Sequence, residues 1–181
     1  MSQLVTISGC SGGGKTTLLQ ELKRRGFQTV EEPGRRIIAR EERAKGDALP
    51  WKNSSAFAQR AIDMAKQDIA LYPSPTAWVF FDRGLIDAAS ALSNLTNEPI
   101  VKYLTGIPRY NNTVFLTPPW PEIYVTDSQR RHNLAAAEEE YERLLKAFPE
   151  AGYNIVVLEK ASVEERAETI LLTLNSLTHQ P

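Results

Sequence analysis

The order of apolar runs and amphipathic stretches predicts an α/β three-layer sandwich: a five-stranded parallel sheet with helices on both faces. Three observations carry this. Five short apolar runs alternate with stretches of helical period. Most of the runs are continuous rather than alternating in polarity, as expected for strands covered on both sides. Two of them end on acidic residues, at the position where open α/β sheets place a ligand crevice.

Leu4–Ser8 reads as the first, buried strand. Lys15–Arg25 reads as a helix with Leu18, Leu19 and Leu22 on one face, and Gly26 is its stop signal. Phe27–Val30 is a short strand ending at Glu31-Glu32-Pro33-Gly34. The polar segment 35–72 reads as helical, broken near Leu49-Pro50-Trp51. Trp78–Phe81 is the third strand, followed by Asp82-Arg83-Gly84 and helical material to about Leu104. Thr113–Leu116 is the fourth strand, ending at Thr117-Pro118-Pro119-Trp120-Pro121. Leu134–Phe148 has a helical period, Asn154–Leu158 is the last strand, and a closing helix aligns Val163, Ala167, Ile170, Leu174 and Leu177. With no repeat or linker, residues 1–181 are expected to form one domain, with an acceptor-side helical region at 35–72 and a lid at 118–132.

Between the first strand and the first helix lies Gly9-Cys10-Ser11-Gly12-Gly13-Gly14-Lys15-Thr16, a full match to G-x-x-x-x-G-K-[ST]. Glycines let the backbone turn its N–H groups around phosphates, and the following helix directs its positive end at the same anion. Lys15 is expected to reach the β- and γ-phosphates and Thr16 to ligate Mg²⁺, with Thr17 completing the cradle. The strand–loop–helix context makes this a P-loop NTPase sandwich, expected to bind a nucleoside triphosphate with Mg²⁺.

Asp82 stands where a P-loop protein places its Mg²⁺-associated carboxylate, although an N-cap role is compatible with the same position. Of Glu31 and Glu32, Glu32 is the one assigned to the site, as a base toward a substrate hydroxyl or a partner of the metal shell. Phosphoryl transfer needs fixed positive charge, and three arginine clusters offer it. Arg130 or Arg131 is assigned to a lid, Arg83 to phosphate or substrate, and Arg35 and Arg36, with Trp51, to the acceptor. His132 and His179 receive no role.

A formal net charge of −1 provides no basic field for nucleic acid or an anionic membrane. The single cysteine, Cys10, forms no internal disulfide, and no leading apolar segment reads as an export signal, so the expected location is the cytoplasm. No apolar run is long enough to span a bilayer. Oligomeric state is not indicated.

These residues together resemble the small bacterial P-loop proteins grouped as AAA-domain-containing predicted ATPases or kinases, a group related to the ribosylnicotinamide kinase domain. The resemblance rests on the Gly9–Thr16 loop, Glu31-Glu32-Pro33 with Arg35-Arg36-Ile37-Ile38, and Asp47-Ala48-Leu49-Pro50-Trp51. It continues through Phe80-Phe81-Asp82-Arg83-Gly84 and Pro118–Tyr124, with Asp127 and Arg130. The Glu-Pro and Asp-Arg pairs are also similar to those of nucleoside and thymidylate kinases. The resemblance implies a nucleotide-kinase-like fold and adenine nucleotide, with Glu32 or Asp82 as substrate-side base or metal partner and Arg83 as a phosphate or substrate contact.

The leading functional expectation is a Mg²⁺-dependent phosphotransferase moving the ATP γ-phosphate to a small-molecule acceptor. The alternative is a nucleotide-dependent regulatory or binding protein with slow ATP or GTP hydrolysis and a protein or lipid partner. The chain has no Asn-Lys-x-Asp guanine signature and no Leu-Ser-Gly-Gly-Gln segment before Asp82, which disfavours a GTPase and a transporter ATPase.

Overall fold

The structure, a computed structural model, describes residues 2–106, 109–123 and 134–178. Five strands, β1 (Leu4–Gly9), β2 (Gln28–Val30), β3 (Val79–Asp82), β4 (Thr113–Thr117) and β5 (Asn154–Val157), form one sheet in the order β2-β3-β1-β4-β5. Every pairing is parallel. The helices are α1 (Lys15–Arg24), α2 (Pro33–Ala44), α3 (Ser54–Ala70), α4 (Leu85–Thr96), α5 (Leu134–Glu150) and α6 (Val163–Thr178).

Side chains alternate across a strand, so each central strand feeds two cores. Val5, Ile7, Phe80 and Phe115 pack with Leu18, Leu22, Ala167, Ile170 and Leu174, under α1 and α6. Leu4, Phe81, Val114 and Leu116 pack on the other face with Ile62, Ile69, Ile86, Leu92, Leu144 and Phe148 from α3, α4 and α5. This explains the continuous apolar runs: both faces of β1, β3 and β4 are buried.

The predicted strands and helices occur in the predicted order, with informative shifts at their ends. β3 begins at Val79 and includes Asp82, because Asp82 is in register with Ile7 of β1. Pairing, rather than apolarity, sets that end. The polar segment divides into α2 and α3, joined by 45–53. Pro33 opens α2, where its missing N–H is not needed, and Asn53 caps α3 by accepting from the Ala56 N–H at 3.0 Å. The connecting loop is held from beneath by Glu41, whose buried carboxylate accepts from the Ala48 N–H at 3.1 Å and from Arg60. Among the described residues, no helix is long and apolar enough to cross a membrane.

Candidate functional site

Because every strand is parallel, the loops after all five open at one end of the sheet. β1 is central and delivers the glycine loop there. Gly9 and Gly13 pass against β4 so closely that a Cβ on Gly9 would enter the Thr117 backbone, and one on Gly13 would lie 2.5 Å from Thr117 Oγ1. Gly12 and Gly14 have φ of 85° and 74°, the left-handed region in which glycine carries no Cβ penalty. The loop then turns into α1 at Lys15.

Lys15 is buried, and its ammonium donates to the carbonyls of Gly9 at 2.9 Å and Cys10 at 2.5 Å. An ammonium has three donors, so one remains for a ligand in the cavity that Lys15 lines. Burial, and then the neighbouring Arg83, push its pKa below the usual lysine range. Thr16 and Thr17 are exposed on the same cavity wall, and Thr17 Oγ1 donates to the Gly14 carbonyl at 2.9 Å.

The cavity has a volume of about 600 Å³ and extends in two directions from the glycine loop. Toward β3 and β2 it reaches Asp82, Glu32 and Arg35, then Phe57, Ala58 and Ala61 of α3 and Ala88 and Ala91 of α4. Toward β4 and β5 it reaches Trp120, Ala161–Val163 and Arg166.

Asp82 is 9% exposed, and its Oδ1 is buried with no hydrogen-bond partner. Burial raises its pKa, Lys15 opposes this, and Glu32 reinforces it. The N-cap of α4 is Gly84, not Asp82, and Asp87 accepts from the Gly84 N–H at 3.1 Å. The N-cap role considered for Asp82 therefore falls to Gly84.

Arg83 has φ of 58° and is pinned by its own N–H, which donates to the Ile7 carbonyl at 2.9 Å. Its guanidinium forks onto Glu140 of α5 at 2.7 and 3.1 Å, and lies 3.4 Å from Glu32 and 3.6 Å from Asp87. Burial would lower the Arg83 pKa, but Glu140, Glu32 and Asp87 together hold it well above the usual value. Burial likewise pushes Glu140 up, and Arg83 overrides this, leaving it at about 2.

Asp87 goes the other way. Burial raises it to about 6, against the pull of Arg83 and of the Ser8 hydroxyl that donates to it. A carboxyl whose folded pKa lies above its unfolded value stabilises the fold below the unfolded pKa and loses that contribution as pH rises through the folded one. Thermal unfolding of the protein is therefore expected to show a contribution of about 3 kcal/mol lost between roughly pH 4 and 6, and Asp87→Asn should remove that slope. An unchanged slope in the variant would refute the assignment.

Residues 4–166 match the family model of an AAA domain. The chain belongs to that family. Its fold is also similar to solved kinase structures. Deoxyadenosine kinase from M. mycoides with bound dATP gives a TM-score of 0.59 at 16% identity, covering 95% of this chain and 99% of that one. The same enzyme with the products dCMP and a flexible dCDP bound gives 0.57 at 17%, covering 96% and 99%. Shikimate kinase from Acinetobacter baumannii in complex with shikimate gives 0.60 at 16%, covering 99% and 97%. No match is found among curated proteins. At these identities the likeness concerns the fold, which is a P-loop, kinase-like one.

This AAA domain brings Gly12, Gly14, Lys15, Thr16, Thr17, Glu32, Arg35, Asp82 and Arg83 to one cavity, and leaves Glu31 exposed. Two expected acceptor residues are not brought there. Arg36 is turned away onto Asp68 of α3, forking onto both carboxylate oxygens, and so ties α2 to α3. Trp51 lies on the 45–53 loop, 37% exposed, outside the cavity lining. Arg130 and Arg131, and most of the expected lid, fall outside the described residues.

Sequence reasoning did not single out Asp87, Glu140 or Arg166, all of which line the cavity. Glu140 is hidden in the run Glu138-Glu139-Glu140, where nothing local distinguishes one carboxylate from the next. Arg166 carried a signal, since it stands three residues after Val163 and beside Ala167, on the stripe expected to be apolar.

Proposed function

We propose that this AAA domain is an ATP- and Mg²⁺-dependent phosphotransferase acting on a small hydroxyl-bearing acceptor. The observation that carries the reading is the extension of the cavity beyond the glycine loop into a chamber walled by Pro33, Ile38, Phe57, Ala58, Ala61, Ala88 and Ala91, with Glu32 and Arg35 at its polar end. Hydrolysis alone needs room for a water, whereas transfer needs a walled second site beside the phosphates.

The sheet order supports one orientation of the substrates. Asp82 ends β3 and Glu32 follows β2, on one side of the glycine loop, and Trp120 and Ala161–Val163 follow β4 and β5, on the other. The terminal phosphate would face the first side, with the nucleoside on the second. Lys15 would bind the β- and γ-phosphates through its remaining donor, and Arg35 would hold the acceptor's polar group. Glu32, oriented by Arg35 Nε at 3.2 Å, would accept the proton of the acceptor hydroxyl.

The residues fit a magnesium ion that arrives with the nucleotide. No cluster of three or more His, Cys, Asp or Glu forms a metal cage among the described residues, as is usual for Mg²⁺ held by phosphates, water and one or two protein oxygens. Thr16 and the unpartnered Asp82 Oδ1 would hold it. When bound, Mg²⁺ neutralises charge on the β- and γ-phosphates.

The test is ATP turnover with Mg²⁺ against a panel of nucleosides, nucleotides and small metabolites. One compound should stimulate turnover strongly, and Asp82→Ala should reduce that rate on the order of 10²-fold while leaving the melting temperature within a few degrees of the parent's. A slow rate indifferent to every compound would overturn the phosphotransferase reading in favour of a nucleotide-dependent regulatory protein.

A further inference from the structure

The β4–β5 end of the cavity holds a buried charge that the proposed chemistry does not use. Arg166, at the end of the first turn of α6, is 4% exposed yet contributes to the cavity wall. Its Nη1 donates to the Gly13 carbonyl at 3.2 Å, and its guanidinium carbon lies 5.3 Å from the centre of the Trp120 ring. Its Nε is buried without a hydrogen-bond partner. Among the described residues, no carboxylate lies within ion-pair distance of it.

Six other arginines, Arg24, Arg25, Arg35, Arg36, Arg60 and Arg83, each pair with an acid, and Arg83, the most enclosed of them, meets three. Arg109 also rests on carbonyls and an aromatic ring, but it is exposed, where water stabilises its charge. Desolvating a guanidinium costs several kcal/mol, and a neutral carbonyl with an aromatic face returns only part of it. Burial lowers the Arg166 pKa, as expected for a cation with no counter-charge among the described residues. An anion entering from the cavity would complete the balance.

The location selects the anion. Arg166 is fastened to a residue of the glycine loop itself, and Gly14 and Thr17 line the cavity together with it. We propose that Arg166 is a phosphate-binding residue for the nucleotide, held by the Gly13 carbonyl and the Trp120 ring so that its free donors meet the phosphate chain from the side opposite the acidic groups. This rests on the nucleotide-binding half of the proposed function and not on transfer to an acceptor. Recognition of phosphate predicts indifference to the base. A guanidinium fork reading a base edge would instead favour guanine, whose O6 and N7 both accept.

The test is direct titration of the full chain with ADP, GDP and inorganic tripolyphosphate, for the parent, Arg166→Met and Arg166→Lys, with melting curves of each protein free of ligand. Arg166→Met should weaken all three ligands by a common factor of roughly 10–100, and Arg166→Lys by less. The ligand-free melting temperature of Arg166→Met should stay at or above the parent's, because an uncompensated buried cation has been removed. Unchanged affinities, or a fall in ligand-free stability with affinities intact, would overturn the proposal in favour of a structural role. A loss confined to one nucleotide, with tripolyphosphate unaffected, would overturn it in favour of base reading. A parent protein that binds none of the three would sink nucleotide binding and this proposal together. One that binds them but phosphorylates no acceptor would sink only the phosphotransferase reading.

Discussion

Lys15→Ala is expected to lower ATP turnover on the order of 10³-fold, the largest effect of any single change in the site. The geometry explains the size. Lys15 is buried against the loop, two of its donors already satisfied by Gly9 and Cys10, so the ammonium is positioned before any phosphate arrives. A preorganised donor in a water-poor site is worth about 2.7–4 kcal/mol toward developing charge, or 10²–10³ in rate, and a full positive charge lies at the upper end. Lys15→Arg should not restore activity, since a planar fork cannot occupy the space of a compact ammonium. Both carbonyls lose a donor in the alanine variant, so a melting curve must accompany the rate to separate lost catalysis from lost fold. Turnover equal to the parent's in a folded Lys15→Ala protein would refute the role given to the loop.

Arg83→Met should have the largest effect on stability, about 3–5 kcal/mol, read as a fall in melting temperature of roughly 10 °C. Arg83 is the common partner of buried Asp87 and half-buried Glu140 and Glu32, and without it these carboxylates repel one another with no cation between them. The pH dependence identifies the cause. In the parent, Glu140 lies at about 2, below its unfolded value, so its contribution is present above the ordinary glutamate pKa and lost as pH falls through about 2. In Arg83→Met, burial acts on Glu140 against only Lys15 and Arg143, so its pKa rises. The variant's deficit relative to the parent should therefore narrow toward acid. Arg83→Met with Glu140→Met should recover much of the loss, because both members of the pair are gone. A variant that melts within a degree or two of the parent at neutral pH, or whose deficit does not narrow toward acid, would contradict this account.

The same cluster marks where the sequence became ambiguous. Asp82 was legible because it ends an apolar run, and Glu32 because it precedes the proline that opens α2. Whether Arg83 or Arg36 would reach the site was not legible, since both follow an acidic residue or turn at a strand end. The structure separates them by what lies opposite. Asp68, 32 residues on, draws Arg36 onto α3, while Arg83 is held inward by its backbone bond to β1 and by Glu140. Trp51 shares the expectation and the outcome: on the 45–53 loop that Glu41 holds, Pro50 lines the cavity and Trp51 does not.

What the sequence by itself determined is therefore the local and periodic part of this protein. Doubly buried strands must be apolar throughout, an amphipathic helix must repeat near every 3.6 residues, and a phosphate loop needs its glycines and lysine within eight positions. Each of those requirements is written in adjacent residues. Only the tertiary structure decided which charges meet. Ser8 and Asp87 are 79 residues apart, Arg83 and Glu140 are 57 apart, and Gly13 and Arg166 are 153 apart. Coulombic pairing depends on distance in space and on the water excluded around it, and neither leaves a periodicity in the chain.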